Sequence, residues 1–179
     1  MGKRSNFERR PRDFYPTPEA AVIPLTASGC LNPYVTYAEP CAGTGDLVGH
    51  LNKRGFQCLY TNDIEPYPGC DDTKDFRDIT IEDVKGCDVI ITNPPWEREL
   101  LHQAIVHFTW MKPTWLLFDA DWIHTKQCIP FTSTLHTVIS VGRVKWIPGS
   151  KSCGKDNVCW YGFGKFSSDR GINFISRRA

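Results

Sequence analysis

Residues 34–55 read "YVTYAEPCAGTGDLVGHLNKRG", and no other stretch limits the possible folds as tightly. A β-branched and aromatic run ends at Glu39 and Pro40, and glycines at 43 and 45 make a tight turn. Leu47, Val48 and Leu51 then share one helical face before Gly55 ends the element. Strand, glycine turn and helix in this order open a parallel α/β sheet.

The rest of the chain continues that alternation. "FQCLYTND", "CDVIITN" and "TWLLFDA" read as strands, and "RELLHQAIVHFTW" reads as a helix with Leu100, Leu101, Ile105 and Phe108 at helical spacing. In "DFYPTPEAAVIPL", Pro18 and Glu19 suit the first turn of a helix capped by Thr17, which Pro24 should end or kink. Nearly continuous apolar strands call for a sheet covered by helices on both faces. The tail differs: "HTVISVGRVKWI" and "NVCWYGFGKF", joined by "PGSKSCGKDN", predict an antiparallel hairpin that closes the sheet edge. With 179 residues and 41% hydrophobic content, one domain over 13–179, preceded by a basic arm at 1–12, accounts for the chain.

Composition removes several classes. No apolar run approaches the roughly 18 to 20 residues of a membrane span. The basic start "MGKRSNFERR" lacks the apolar stretch of a signal peptide, and Asn6 breaks the myristoylation pattern. A soluble, cytoplasmic protein with no membrane partner is expected. The eight cysteines are scattered through apolar segments without zinc spacing, so reduced thiols and no metal are expected. The net charge of +1 is unevenly spread. Arg9, Arg10 and Arg12 crowd the start, Lys151 and Lys155 lie in the glycine-rich loop, and Arg177 and Arg178 close the chain. These are candidate phosphate contacts, although each cluster alone fits a solvated tail equally well.

Ligands of a doubly wound sheet sit outside the carboxyl ends of its strands, near the first glycine turn. The dinucleotide pattern G-x-G-x-x-G fails here at Val48, and Asp46 at the start of the helix would repel a pyrophosphate. Glu39 and Asp46 make the turn negative, which suits an ammonium or sulfonium. Asp63, about twenty residues further on, stands where an acid accepts from ribose hydroxyls. Asp75 and Phe76 in "KDFRD" offer an acceptor and a packing surface to an adenine. A cationic nucleoside satisfies all of these, while Asp63 or Asp75 taken singly also fits ordinary loop solvation.

"DVIITNPPW" places Asn93, Pro94, Pro95 and Trp96 at the end of a buried strand. The lone pair of an exocyclic amino group is delocalised into its base, and two acceptors aimed at the amino hydrogens draw it out. The Asn93 side-chain oxygen and the Pro94 carbonyl are candidates for that task. The prolines stiffen the turn and withhold N–H donors. Trp96 offers a stacking face to a flipped base, an interaction of about 1 to 3 kcal/mol. In isolation the same residues fit a strand end in which Asn93 opens a turn and Trp96 fills the core.

With "DFYPTP", "EPCAGTGDL", "NDIEP", "KDF" and "NPPW" in this order, the chain resembles the S-adenosylmethionine-dependent DNA adenine-N6 methyltransferases. The order matches their gamma arrangement and the wording is similar to small phage-encoded members, over about residues 13 to 165. The resemblance implies a Rossmann-like class I methyltransferase fold: a mostly parallel seven-stranded sheet with an antiparallel C-terminal hairpin. It implies that Tyr15, Thr17 and Pro18 line the methionine end of the cofactor. Glu39, Ala42, Gly43 and Gly45 would hold its backbone side, Asp63 the ribose, and Asp75 with Phe76 the adenine. Asn93, Pro94, Pro95 and Trp96 would form the catalytic turn, with Trp146 on the other face of the base, where a core role for Trp146 is nearly as good a fit.

The product would be S-adenosylhomocysteine and the partner duplex DNA, with a recognition partner or a homo-oligomer left open. Members that read a sequence usually carry a further recognition region, whereas this chain stops soon after "NVCWYGFGKF". The loop "PGSKSCGKDN" and the arm "KRSNFERRPR" are then expected to contact nucleic acid with short or relaxed preference. Related readings are an RNA adenine methyltransferase, a protein glutamine-N5 enzyme, which usually has tyrosine at position 96, and a cytosine-N4 enzyme, which usually has serine at 93. A catalytically silent binding module is the alternative outside enzymes.

Overall fold

The computed structural model describes residues 14–147, 149, 153–165 and 171–176. Arg9, Arg10, Arg12, Lys151, Arg177 and Arg178 lie outside the described residues. In chain order the elements are α1 (Glu19–Ala27), β1 (Thr36–Glu39), α2 (Asp46–Asn52), β2 (Gln57–Asp63), β3 (Asp72–Thr73), β4 (Val89–Thr92), α3 (Arg98–Met111), β5 (Thr114–Asp119), β6 (Leu135–Gly142), β7 (Val158–Phe163) and β8 (Asn173–Ile175). Short 3-10 turns occupy Phe76–Asp78, Ala120–His124 and Lys126–Phe131.

One eight-stranded sheet runs in the order β3-β2-β1-β4-β5-β7-β6-β8. Its neighbours are parallel except around β7, which is antiparallel to both β5 and β6. Period-two side-chain alternation divides the core into two layers. Val89, Ile91, Trp115 and Leu117 face Ala21, Val22 and Leu25 of α1 and Leu47 and Leu51 of α2. Ile90, Leu116 and Phe118 face Leu101, Ala104, Ile105 and Phe108 of α3 on the other side. Every residue of β4 is therefore buried, and the unbroken apolar run is explained.

The α/β architecture with helices on both faces and an antiparallel C-terminal hairpin is as the sequence predicts, with four corrections. The described sheet has eight strands rather than seven, because β3 and β8, two and three residues long, are too short to show as apolar runs. The β6–β7 hairpin does not close the edge, since β7 inserts between β5 and β6 and β8 pairs outside β6. Pro24 does not end α1, which continues to Ala27. Pro24 has no N–H to give the Ala20 carbonyl, and the helix is held instead by the complete burial of Ala21, Val22 and Leu25 and by the bond from Trp160 Nε1 to the neighbouring Ala21 carbonyl at 2.7 Å. α1 also starts without a side-chain cap, so Thr17 is not its capping residue. All eight cysteines are free. Among the described residues no helix is long and apolar enough to cross a membrane, and no group of three or more His, Cys, Asp or Glu could hold a metal.

Candidate active site

From β1 the chain builds outward to β2 and β3, and from β4 it builds the opposite way to β5. The crevice at the carboxyl ends of β1 and β4 is the place where such sheets bind ligands. Glu39 is the last residue of β1, and Asn93 follows β4 directly. A cleft of about 250 Å³ opens between them, with Phe14, Pro16, Thr17, Cys41, Ala42, Thr44, Asp46 and Leu47 completing its walls.

Glu39 is 1% exposed. Its Oε1 accepts a short hydrogen bond from Thr92 Oγ1 and a 3.3 Å bond from the Cys41 N–H, whereas Oε2 is buried with no partner. Burial pushes the carboxyl up to about 8, against the lowering effect of those two donors. A buried carboxyl oxygen without a hydrogen-bond partner, on a residue lining a polar cleft, has lone pairs to offer a cationic group once the acid ionises.

The glycine turn is fixed from both sides. Gly43 and Gly45 have φ of 52° and 80°, a region that disfavours side chains. The Gly43 N–H donates to Asp63 Oδ2 at 2.8 Å, and Asp63 Oδ1 accepts from the Glu65 N–H at 3.0 Å. A Cβ at position 43 would lie 2.8 Å from Phe14 Cε2, and Phe14 is itself stacked on Tyr67 with centroids 5.3 Å apart. Fully buried Asn62 fastens the surrounding loops: Nδ2 donates to the Pro40 and Lys74 carbonyls, both at 3.0 Å, and Oδ1 accepts from the Lys74 N–H at 3.1 Å.

The Asn93–Trp96 turn leaves β4 with Pro94 buried and enters α3 at Glu97, whose side chain accepts from the Leu100 N–H at 3.0 Å. Asn93 Nδ2 donates to Thr17 Oγ1 at 3.2 Å and to the Tyr15 carbonyl at 3.4 Å. Asn93 Oδ1 accepts from Trp96 Nε1 at 3.1 Å, and the same indole N–H also reaches the Leu117 carbonyl at 3.1 Å. Trp146 meets Trp96 edge to face, with centroids 5.5 Å apart, and lies 6.3 Å from the Tyr15 ring.

Of the residues expected in the site, Thr17, Glu39, Ala42 and Asn93 line one cleft, and Gly43 and Gly45 shape the turn at its side. Asp63 is bonded to that turn, and Trp96 and Trp146 adjoin Asn93. The Tyr15 ring lies against Trp146, Pro18 stands at the start of α1, and Phe14 and Pro16 face the cleft in their place. Asp75 and Phe76 are not among the lining residues. The Asp75 carboxylate is gripped by Arg77 at 2.6 and 2.8 Å, which holds it below the usual range, and Phe76 is in the core 5.5 Å from Phe108. Lys155 is exposed. Sequence reading missed Phe14, Pro16, Cys41, Thr44, Leu47 and Asn62. Phe14 and Pro16 had a signal, since both lie in the same "DFYPTP" stretch that supplies Tyr15, Thr17 and Pro18.

No protein-family model matches the sequence, and no curated protein matches it. Solved structures do match. The methyltransferase subunit of a type I restriction-modification system from Streptococcus thermophilus has a TM-score of 0.57 at 11% identity, covering 89% of this chain and 46% of its own. The Mtq2–Trm112 complex of E. cuniculi, responsible for methylating the termination factor eRF1, has a TM-score of 0.58 at 14% identity, covering 86% and 98%. A proposed RNA methyltransferase from Pyrococcus horikoshii has a TM-score of 0.53 at 16% identity, covering 95% and 94%. The chain thus spans about half the length of the restriction-modification subunit. It has the fold of the class I S-adenosylmethionine-dependent methyltransferases.

Proposed function

We propose that this protein transfers a methyl group from S-adenosylmethionine to the exocyclic N6 amino group of a flipped adenine in DNA. The observation that carries the reading is the oriented Asn93 amide at the carboxyl end of β4, beside a cleft holding the half-partnered carboxylate of Glu39. Similarity in fold to enzymes acting on DNA, RNA and protein supports methyl transfer in general, and the Asn-Pro-Pro-Trp turn supports an amino-bearing base.

The cleft fits the cofactor through its donor set. Glu39 Oε2, which has no partner of its own, would accept from an ammonium, and both Asp63 oxygens keep acceptor capacity for ribose hydroxyls beyond the backbone bonds they already make. Asp46 at the start of α2 disfavours a pyrophosphate. When bound, S-adenosylmethionine supplies an electrophilic methyl on sulfur and leaves as S-adenosylhomocysteine.

The chain's own residues prepare the acceptor. Asn93 Oδ1 and the Pro94 carbonyl accept hydrogen bonds from the two amino hydrogens, which localises the nitrogen lone pair toward the methyl; as the N–C bond forms and the S–C bond breaks, the nitrogen becomes cationic and releases one of those protons to solvent. Trp96 borders the base position beside Asn93, with Trp146 packed edge to face against it rather than on the opposite side of a base, and extrusion of the base costs a few kcal/mol that stacking recovers. Arg9, Arg10, Arg12, Lys151 and Lys155 are proposed phosphate contacts.

Incorporation of labelled methyl groups tests this, with duplex DNA, single-stranded DNA, RNA and protein offered side by side. Label on DNA adenine is expected. Label confined to RNA would transfer the reading to an RNA adenine enzyme, and cofactor binding without label on any of them would leave a silent module.

A further inference from the structure

The amide of Asn93 has two ends of opposite character, and a half-turn about its last side-chain bond exchanges them. With oxygen toward the base it accepts an amino hydrogen. With nitrogen toward the base it confronts donor with donor. Nothing in Asn93 itself prefers the productive orientation.

Its surroundings do. Trp96 Nε1 is a donor and cannot accept, so at 3.1 Å it selects Oδ1. Thr17 Oγ1 and the Tyr15 carbonyl take the opposite end, at 3.2 and 3.4 Å from Nδ2. The indole is itself anchored, because the same N–H reaches the Leu117 carbonyl on β5 at 3.1 Å and the ring packs against residues of both core layers. Oδ1 uses one lone pair on Trp96 and retains the other for the base.

We infer that Trp96 is a positioning residue, acting through its indole N–H to hold Asn93 Oδ1 toward the amino group. This rests on the proposed adenine methylation and assigns Trp96 a task beyond stacking. A phenyl or phenol ring at position 96 would supply a face but no donor at that place, so the fourth residue of this turn is tryptophan for a reason that stacking alone does not give. Thr17 serves the same amide from its other end.

The test separates donor from face. Wild type, Trp96→Phe and Thr17→Val are compared in single-turnover methyl transfer to duplex DNA at saturating cofactor. Binding and base extrusion are followed by the emission of 2-aminopurine at the target position. Trp96→Phe is expected to slow transfer by on the order of tenfold to a hundredfold, with DNA affinity and 2-aminopurine emission within about twofold of wild type. In an Asn93→Ser background, where a freely rotating hydroxyl needs no orienting, adding Trp96→Phe is expected to cost less than about twofold.

Unchanged transfer by Trp96→Phe, or a loss matched by an equal loss of 2-aminopurine emission, overturns the inference and leaves the face as the whole role. Should Trp96→Phe not fold, Thr17→Val carries the test, and transfer by it at the wild-type rate overturns the inference. A wild type that methylates no adenine overturns the functional reading itself. The 15N shift of the Trp96 indole reads the hydrogen bond without activity, and a value unaffected by Asn93→Ala overturns the inference even then.

Discussion

Glu39 holds an acid in a place that resists its ionisation, and this has consequences for pH. In the unfolded chain the carboxyl ionises near its ordinary value of 4.5, whereas in the fold it stays protonated to about 8. Between these values the folded state binds the extra proton, so stability falls as pH rises from about 4.5 to about 8 and is unaffected by this group below that window. Thermal unfolding from pH 5 to 9 should show that decline, flattened in Glu39→Gln. An ammonium pairs only with the ionised form, so cofactor affinity should climb toward pH 8 and then fall as the ligand amine, whose free pKa is about 7.7 to 8.0, loses its proton. Calorimetric titration across that range checks the rise, and Glu39→Gln should lose it. Asn93 behaves differently because it stands at the reacting end of the cleft. Asn93→Ala should lower turnover by about a hundredfold or more while cofactor affinity stays within about twofold, measured by single-turnover kinetics and equilibrium binding.

Two glycines of one turn make unequal demands on the elements they join. At Gly45 a methyl group meets no atom within 4 Å, so Gly45→Ala should cost only the strain of φ 80°, about 1 kcal/mol in a urea titration. At Gly43 the methyl meets the Phe14 ring at 2.8 Å, so Gly43→Ala should cost more and weaken cofactor binding by displacing a wall of the cleft. Legibility followed the same division between local and distant causes. The strands β4 and β5 and the helix α3 were readable because their own residues carry the period. The glycine turn and the Asn93 turn were readable because φ and donor count are local properties. Thr17 does not cap α1, because Pro18 holds the cap position and the Thr17 hydroxyl accepts from Asn93, 76 residues away. Asn62 left no trace, since its three bonds join loops that only the finished sheet brings together. β8 was invisible because Asn173–Ile175 is exposed or half-buried at the sheet edge.

Across the whole molecule, β7 is the strand that joins the late part of the chain to the early part. Trp160 is fully buried on it, and its indole reaches the first turn of α1 across 139 residues. Trp160→Phe should cost about 2 to 3 kcal/mol in a urea titration, through the lost donor and the space left behind.

The link between Thr17 and Asn93 also sets an order of events. The segment that holds the amide is synthesised before β4, yet it has nothing to grip until β4 has paired and the turn after it has formed. Contacts of such long separation form late because the intervening loop must close before they yield any energy. The amide is therefore expected to come into register only once β1 and β4 have paired, so the sheet precedes the chemistry; pulse-labelled hydrogen exchange during refolding checks this by following protection of β4 against that of the Trp96 indole.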